Sequence, residues 1–557
     1  MARDGDEGQD GRDERPPRPR LTWQERERAT RRRGIVLDTS LQPPGGEAHA
    51  TVYEQDVLLA HFDPSGPKNA RADAVRRLEA LARGLGWTVA LEPLEDDGPE
   101  PVRARPPRNR SEARRAPGSG RVRRNPGVAR SMRIRIAVAE EAARDEPTRR
   151  PDAWRLLVAA RGGGITGFSL NHVLGVHPFT GNPFTGNPFT GNPFTGNPFT
   201  GNPAGIASYA VPGFGGRQPV AYTGPAPERA PLAEGARRPV VAILDTGCGA
   251  HPWFENLPGA APAADPVLLV QTGPHGEPLG LSDPATDPEA HPSLGGPLDG
   301  NIDPVAGHGT FIAGLVRQAC PEAQILPIRV SDGSGVILES DLLGALGRVV
   351  ALLEKEALHL DVMNLSFGFY HESPGAAATE TELYDLLRRV RACGCVVVCS
   401  AGNDATERPA APAALYDWGP DSGIAPGSEA GLAPQIVVGA LNPSGRSVAL
   451  FSNIGEWVQT YVIGVSVLST LPVSFDGGVQ AGMRDDADDR RRETLDPDDF
   501  AGGFAVWSGT SFAAPVVAGR IAHALGSAGP SVRGPEGVPD AVQGVLDRCA
   551  HEDGSHI

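Results

Sequence analysis

Lysine is almost missing from this 557-residue chain: Lys68 and Lys355 are the only two, so nearly all of its positive charge is arginine. Together with plentiful Ala, Gly, at 70, and Pro, at 54, this preference for arginine points to a high-GC bacterial genome. Basic residues are also in deficit, 52 Lys and Arg against 68 Asp and Glu, for a formal net charge of -16. That excludes an overall basic face, and with it a general nucleic-acid or membrane-surface binder. No stretch approaches the roughly 18 consecutive apolar residues of a spanning helix. The first 33 residues mix acids and arginines without an apolar core of the signal-peptide kind, so a soluble, cytoplasmic protein is expected. In that reducing compartment the six cysteines, Cys248, Cys320, Cys393, Cys395, Cys399 and Cys549, are expected as free thiols.

The chain is too long for one ordinary domain. Residues 1–50 are polar, charged and Pro-rich, a composition that cannot bury enough apolar surface to offset ordering entropy, and are read as disordered. Residues 51–176 follow a repeated pattern. A strand at 56–62 precedes a helix at 72–85, with Val75, Leu78, Leu81 and Leu85 on one face, and a strand at 87–94. A strand at 132–140 then precedes a helix at 153–161, carrying Trp154, Leu157 and Val158, and a strand at 167–174 with Phe168, Leu170 and Leu174 on one side. The order is βαββαβ, a small α/β sandwich. Its halves are separated by an arginine- and proline-rich stretch, 99–130, read as a solvated loop rather than a nucleic-acid site. Residues 177–238 form a linker in which PFTGN recurs five times, from Pro178 to Asn202. Pro lacks an N–H and Thr-Gly-Asn is a turn signal, so the repeat joins neither ladder nor helix. As an extended tether it would span about 80 Å. From 239 to 528 apolar strands alternate with amphipathic helices, the mark of an α/β domain with a largely parallel sheet. Residues 529–557 read as a polar tail with one weak helix at 540–549.

Three segments of the second half carry chemistry. PVVAILDTGCG, residues 239–249, is a buried strand ending in Asp245, the crevice position of a parallel sheet. By itself Asp245 could equally cap a helix, bind a metal or open an aspartic-protease site, although the last needs two such segments and the chain has one DTG. GHGTFIAG, residues 307–314, puts His308 between glycines at a helix start, where an imidazole can approach an acid and a nucleophile closely. A polar cap is the alternative. SGTSFAAP, residues 508–515, puts Ser511 at the start of a helix, where unpaired N–H groups suit a developing oxyanion but where serine is also a common cap. The order Asp, His, Ser is one of three in which this constellation recurs on unrelated folds.

With VVVCSAGND, residues 396–404, as a fourth match, these segments resemble the signatures of the subtilisin-like serine proteases. The resemblance covers about 239–528 and implies a serine endopeptidase acting on a peptide or protein substrate. Asp245, His308 and Ser511 would form its triad, Asn403 would complete its oxyanion hole, and no cofactor would be needed. A dedicated intracellular processing protease fits this reading. By analogy, Ser331, Gly333 and Gly335 of SDGSG and Ser366 and Gly368 of LSFG would border the substrate by strand addition. The βαββαβ unit would be propeptide-like and bind its own catalytic domain, with cleavage near His177 or in the tether. Calcium is frequent in the family, but no acidic loop here matches a ligand pattern, and calcium stays open. Phe311 stands where most members carry a second histidine. Cys248, three residues past Asp245, reads as a small buried residue. Cys393, Cys395 and Cys399 share strand parity but lack paired zinc spacing, so no metal is assigned. The charged stretch 474–503 is expected on the surface.

Overall fold

The computed structural model describes residues 34–44, 46–61, 70–94, 131–139, 150–176, 206–261, 263–294, 300–373, 381–527 and 537–552. The arginine-rich stretch and the PFTGN repeats lie outside the described residues.

The first unit comprises β1 (Ile35–Val36), β2 (Val52–His61), α1 (Ala70–Gly84), β3 (Trp87–Pro93), β4 (Ser131–Val138), α2 (Ala153–Gly162) and β5 (Phe168–Val176). Its strands lie in the order β5-β2-β4-β3, each antiparallel to its neighbour. Helical spacing sends Val75, Leu78 and Ala82 of α1, and Trp154, Leu156, Leu157 and Ala160 of α2, onto one face of this sheet. Asp152 caps α2, accepting the Arg155 N–H at 3.1 Å. Residues 34–50, expected to be disordered, belong in part to this unit. β1 pairs with β2, Leu37 and Ala48 are buried, and the Trp154 indole N–H donates to the Leu41 carbonyl at 3.1 Å. This segment needs few apolar residues because it closes a core already built by others.

The second unit is organised by a six-stranded parallel sheet. Its order is β14 (Thr460–Ile463), β13 (Gln435–Leu441), β12 (Val396–Ser400), β10 (Val362–Leu365), β7 (Val240–Asp245) and β8 (Gln324–Arg329). The central strands are near-continuous apolar runs, as strands covered on both faces must be. Val241 and Ile243 face α3 (His308–Ala319), α6 (Thr510–Ser527) and α7 (Val538–Glu552). Ala242 and Leu244 face α4 (Glu339–Leu353) and α5 (Glu382–Ala392). The helix expected to be weak in a polar tail is core: α7 buries Val538, Val542, Val545 and Cys549, a helical stripe packed beside α6. A small sheet joins β15 (Val467–Thr470), β18 (Phe504–Trp507) and β6 (Gln218–Pro219). Between β15 and β18 the charged stretch makes an exposed hairpin, β16 (Arg484–Ala487) and β17 (Arg490–Glu493), anchored by buried Phe475 and Phe500.

The units are joined by β5. Its last residues run antiparallel between β9 (Val336–Leu338) and β11 (Phe367–Gly368), with Leu174 opposite Ile337 and Gly175 opposite both Val336 and Gly368. Leu174 and Val176 enter the core of the second unit. His172, fully buried, spans two carboxylates of that unit, with Nδ1 at 2.6 Å from Glu339 and Nε2 at 2.8 Å from Glu372, whose other oxygen accepts from Arg161 at 2.9 Å. Burial alone would disfavour the imidazolium, but the carboxylates outweigh it and lift the His172 pKa from 6.5 to about 9. Burial would likewise raise the two carboxyls, yet the histidines beside them hold Glu339 below, and Glu372 well below, the ordinary 4.5.

Two outcomes follow from this packing. Val545→Asp would bury a carboxylate without a partner against α6 and cost more than about 3 kcal/mol, read as a fall in the thermal midpoint. The His172 junction has its full strength between pH 4.5 and 6.5, the ordinary carboxyl and histidine values, and loses it as pH falls through the lowered carboxyl values or rises through about 9. The thermal midpoint of the wild-type chain should therefore fall more steeply toward pH 10 than that of His172→Met; parallel curves would contradict the ion-pair account.

Candidate functional site

Asp245 ends β7 at the carboxyl edge of the sheet, and His308 opens α3 directly across from it. The approach depends on glycine. A Cβ on Gly309 would lie 2.1 Å from the Gly247 carbonyl oxygen, and Gly307, at φ 80°, supplies the left-handed turn into α3. His308 Nδ1 lies 2.7 Å from Asp245 Oδ1, which also accepts the Thr246 N–H at 2.8 Å. Both side chains are fully buried, and His308 Nε2 has no hydrogen-bond partner among the described residues. The imidazole rests against Trp507 and Phe512, with ring centroids 5.9 and 5.2 Å away. Phe311, in place of a second histidine, packs on the same two rings.

Ser511 lies in the first turn of α6, one residue before Phe512. Its hydroxyl donates to the Ser366 carbonyl at 3.2 Å, and the Ser366 hydroxyl donates back to the Ser511 carbonyl at 3.1 Å. Asn403 follows β12, and its Oδ1 accepts from the Thr510 N–H at 2.9 Å and from the Thr510 hydroxyl at 2.8 Å. With the carbonyl end so fixed, the donor end of the side chain is its NH₂. Asp245, His308, Ser511 and Asn403, far apart in sequence, thus gather at one edge of the parallel sheet.

Of the five residues expected to border an extended chain, Gly335 and Gly368 lie against β5. Gly335, at φ 78°, accepts the Val176 N–H on its carbonyl at 2.9 Å, and Gly368 pairs with Gly175. Ser331 is buried, its hydroxyl donating to the Asp332 carbonyl, and a Cβ on Gly333 would lie 2.6 Å from Leu294. Ser366 binds Ser511 through both its oxygens rather than facing β5.

Several residues here were not singled out from the sequence. Arg217, next to β6, aims its guanidinium at the carbonyls of Ile302, Asp303 and Ala306, at 3.3, 3.0 and 2.9 Å, and lies 4.7 Å over the Trp507 ring. Burial brings its pKa down to about 10, so it stays charged near neutrality. Ser508 donates to the Gly215 carbonyl at 2.6 Å, so residues 215–219 pass beside both the His308 and the Ser511 segments. Glu289 is buried beneath the Asp245 loop. It comes from a Pro- and Asp-rich stretch without periodicity, which offers no sequence signal.

Cys248 is half-buried, and burial pushes its thiol well above the ordinary value, the opposite of a reactive thiolate. Cys395 and Cys399 are buried with strand parity, but Cys393 caps α5 at the surface, because β12 begins only at Val396. Among the described residues one His/Glu group brings ligand atoms within 4.8 Å, His172, His371 and Glu372. Its nitrogen-rich set does not fit calcium, which takes oxygen ligands, and both His172 nitrogens are already committed to carboxylates.

A model of the Subtilase family matches residues 236–554. The thermophilic serine proteinase of Bacillus sp. (strain AK1) is 27% identical over 272 residues, 45% of this chain and 53% of its own length. Subtilisin NAT of Bacillus subtilis subsp. natto is 25% identical over 307 residues, 52% of this chain and 66% of its own length. The chain thus spans about half to two thirds of these relatives. A solved cold adapted subtilisin-like serine proteinase overlaps 54% of this chain and 79% of its own, at 19% identity and a TM-score of 0.34. With the family match covering more than half its length, this chain belongs to the subtilase family.

Proposed function

We propose that this chain is a serine endopeptidase that hydrolyses peptide bonds through an acyl-enzyme. One observation carries the reading: a buried imidazole, held through Nδ1 by Asp245, whose Nε2 has no hydrogen-bond partner among the described residues and lies beside the helix start that bears Ser511. Turning the Ser511 hydroxyl from the Ser366 carbonyl toward Nε2 lets His308 take its proton as Oγ attacks the scissile carbonyl. His308 then returns that proton to the leaving amine, while Asp245 keeps the imidazole in the productive tautomer and stabilises the imidazolium. The Asn403 amide and the Ser511 N–H, a donor at a helix start, hold the oxyanion.

The substrate runs extended between β9 and β11, where main-chain bonds give affinity and side-chain pockets give selectivity. In the uncut chain β5 occupies that ladder, so residues 51–176 act as a propeptide-like unit on their own catalytic domain. Cleavage falls near His177 or within the tether. A dedicated processing role, on one peptide or partner protein, fits a site that its own chain covers so fully.

Intact mass of the purified wild type and Ser511→Ala, in parallel, tests the reading. Wild type is expected cut between about 177 and 238 and Ser511→Ala whole; identical cutting of both would overturn it. On a peptide substrate, Asn403→Ala should lower kcat by ~10²–10³, the size of effect that losing one such donor has in subtilisin.

A further inference from the structure

Glu289 is 2% exposed and belongs to none of the roles assigned above. Its Oε1 contacts the Thr246 hydroxyl in a short hydrogen bond and accepts the Gly309 N–H at 3.2 Å, while its Oε2 accepts the Thr310 hydroxyl. Thr310 Oγ1 in turn accepts the Gly249 N–H at 2.7 Å. The carboxyl therefore ties the Asp245 loop to the first turn of α3. Thr246 Oγ1 also accepts the Gly309 N–H at 2.8 Å and lies 3.1 Å from Asp245 Oδ1, the oxygen that holds His308.

Hydrogen counting gives this arrangement a direction. The Thr246 hydroxyl has one hydrogen and sits between two carboxyl oxygens, Glu289 Oε1 and Asp245 Oδ1. If Glu289 is ionised, it takes that hydrogen and Asp245 loses the bond. If Glu289 is the neutral acid, it donates to Thr246 Oγ1, which passes its own hydrogen to Asp245 Oδ1, and every polar hydrogen in the cluster has one acceptor. No ion pair of Glu289 is present among the described residues, and a second buried anion one hydroxyl from Asp245 would be strongly disfavoured.

We propose that Glu289, held as the neutral acid, is a positioning residue that orients the Asp245–His308 pair through the Thr246 hydroxyl. This rests on the protease reading for its effect on rate, but not for its effect on the hydrogen bond. Burial, partly offset by the two threonine hydroxyls, lifts the Glu289 carboxyl from 4.5 to about 7. The titratable groups facing it are Asp245 at the end of β7, Cys248 in the loop that follows, Asp287 from its own loop, and His308 beyond Asp245. Arg329 of β8 passes nearby, its guanidinium turned to the Leu281 and Asp283 carbonyls and the Thr286 hydroxyl. Because the carboxyl is raised, the proton it needs is fully present below pH 4.5 and is lost as pH rises through about 7.

Two readouts on the full chain test this. In a Ser511→Ala background, which needs no activity, the low-field proton resonance of His308 Nδ1 should shift in one step near pH 7 with Glu289 present. The step should vanish in Glu289→Gln, whose amide always donates to Thr246. The resonance should broaden or disappear in Glu289→Ala. On a peptide substrate, Glu289→Ala should lower kcat about tenfold with KM little moved. Glu289→Gln should recover that loss and shift the alkaline limb of the kcat/KM profile upward. A wild-type resonance without the step, or a step that persists in Glu289→Gln, would overturn the proposal, as would a Gln variant no better than Ala. Absence of any hydrolysis by the wild type would instead count against the protease reading alone, and the resonance would still decide the role of Glu289.

Discussion

The 2.7 Å contact between His308 Nδ1 and Asp245 Oδ1 sets the terms for the rest of this structure. A hydrogen bond to a carboxylate is worth little in water and more where water is excluded. Excluding water from both groups needs a parallel sheet covered on both faces, so that Asp245 ends a buried strand, and a helix that starts close enough to deliver the imidazole. Gly309 meets the second need, since any side chain there would strike the Gly247 carbonyl. Trp507 and Phe512 meet the first by walling the ring in apolar surface, with Phe311 packed behind them.

The same logic of buried charge governs how the two units meet. An edge strand inserted between β9 and β11 supplies main-chain bonds, but His172 makes the fit selective, because Glu339 and Glu372 would otherwise be buried with too little positive charge. Removing one partner of such a cluster is costly even where the intact cluster adds little net stability. Docking by β5 is therefore tied to the presence of a cation at one position of the strand. Arg217 works likewise on the other side, a cation lodged among backbone carbonyls beside the His308 and Ser511 segments.

Much of this was legible in the sequence because the relevant signals are short and local. Asp245, His308, Ser511 and Asn403 each sit in a run of small residues at a strand end or helix start, and the βαββαβ order follows from apolar spacing. What escaped has no local signature. Residues 34–50 hold few apolar residues and gain their order from Trp154, which lies far along the chain. Glu289 sits in an aperiodic Pro- and Asp-rich loop, and its meaning comes only from Thr246 and Thr310, brought to it by two other segments. His172 looks like one polar residue in an alternating strand until Glu339 and Glu372 close on it. The α7 helix was read as a weak tail because its stripe, Val538, Val542, Val545 and Cys549, is thin, yet it suffices against the already apolar α6.

The central claim is that Ser511 is a nucleophile activated through His308. Covalent labelling with a small serine-directed fluorophosphonate, followed by peptide mapping, tests it most directly. The account predicts a single adduct on Ser511 in the wild type and none in His308→Ala. Equal labelling of both proteins, an adduct on another serine, or no adduct in the wild type would contradict it.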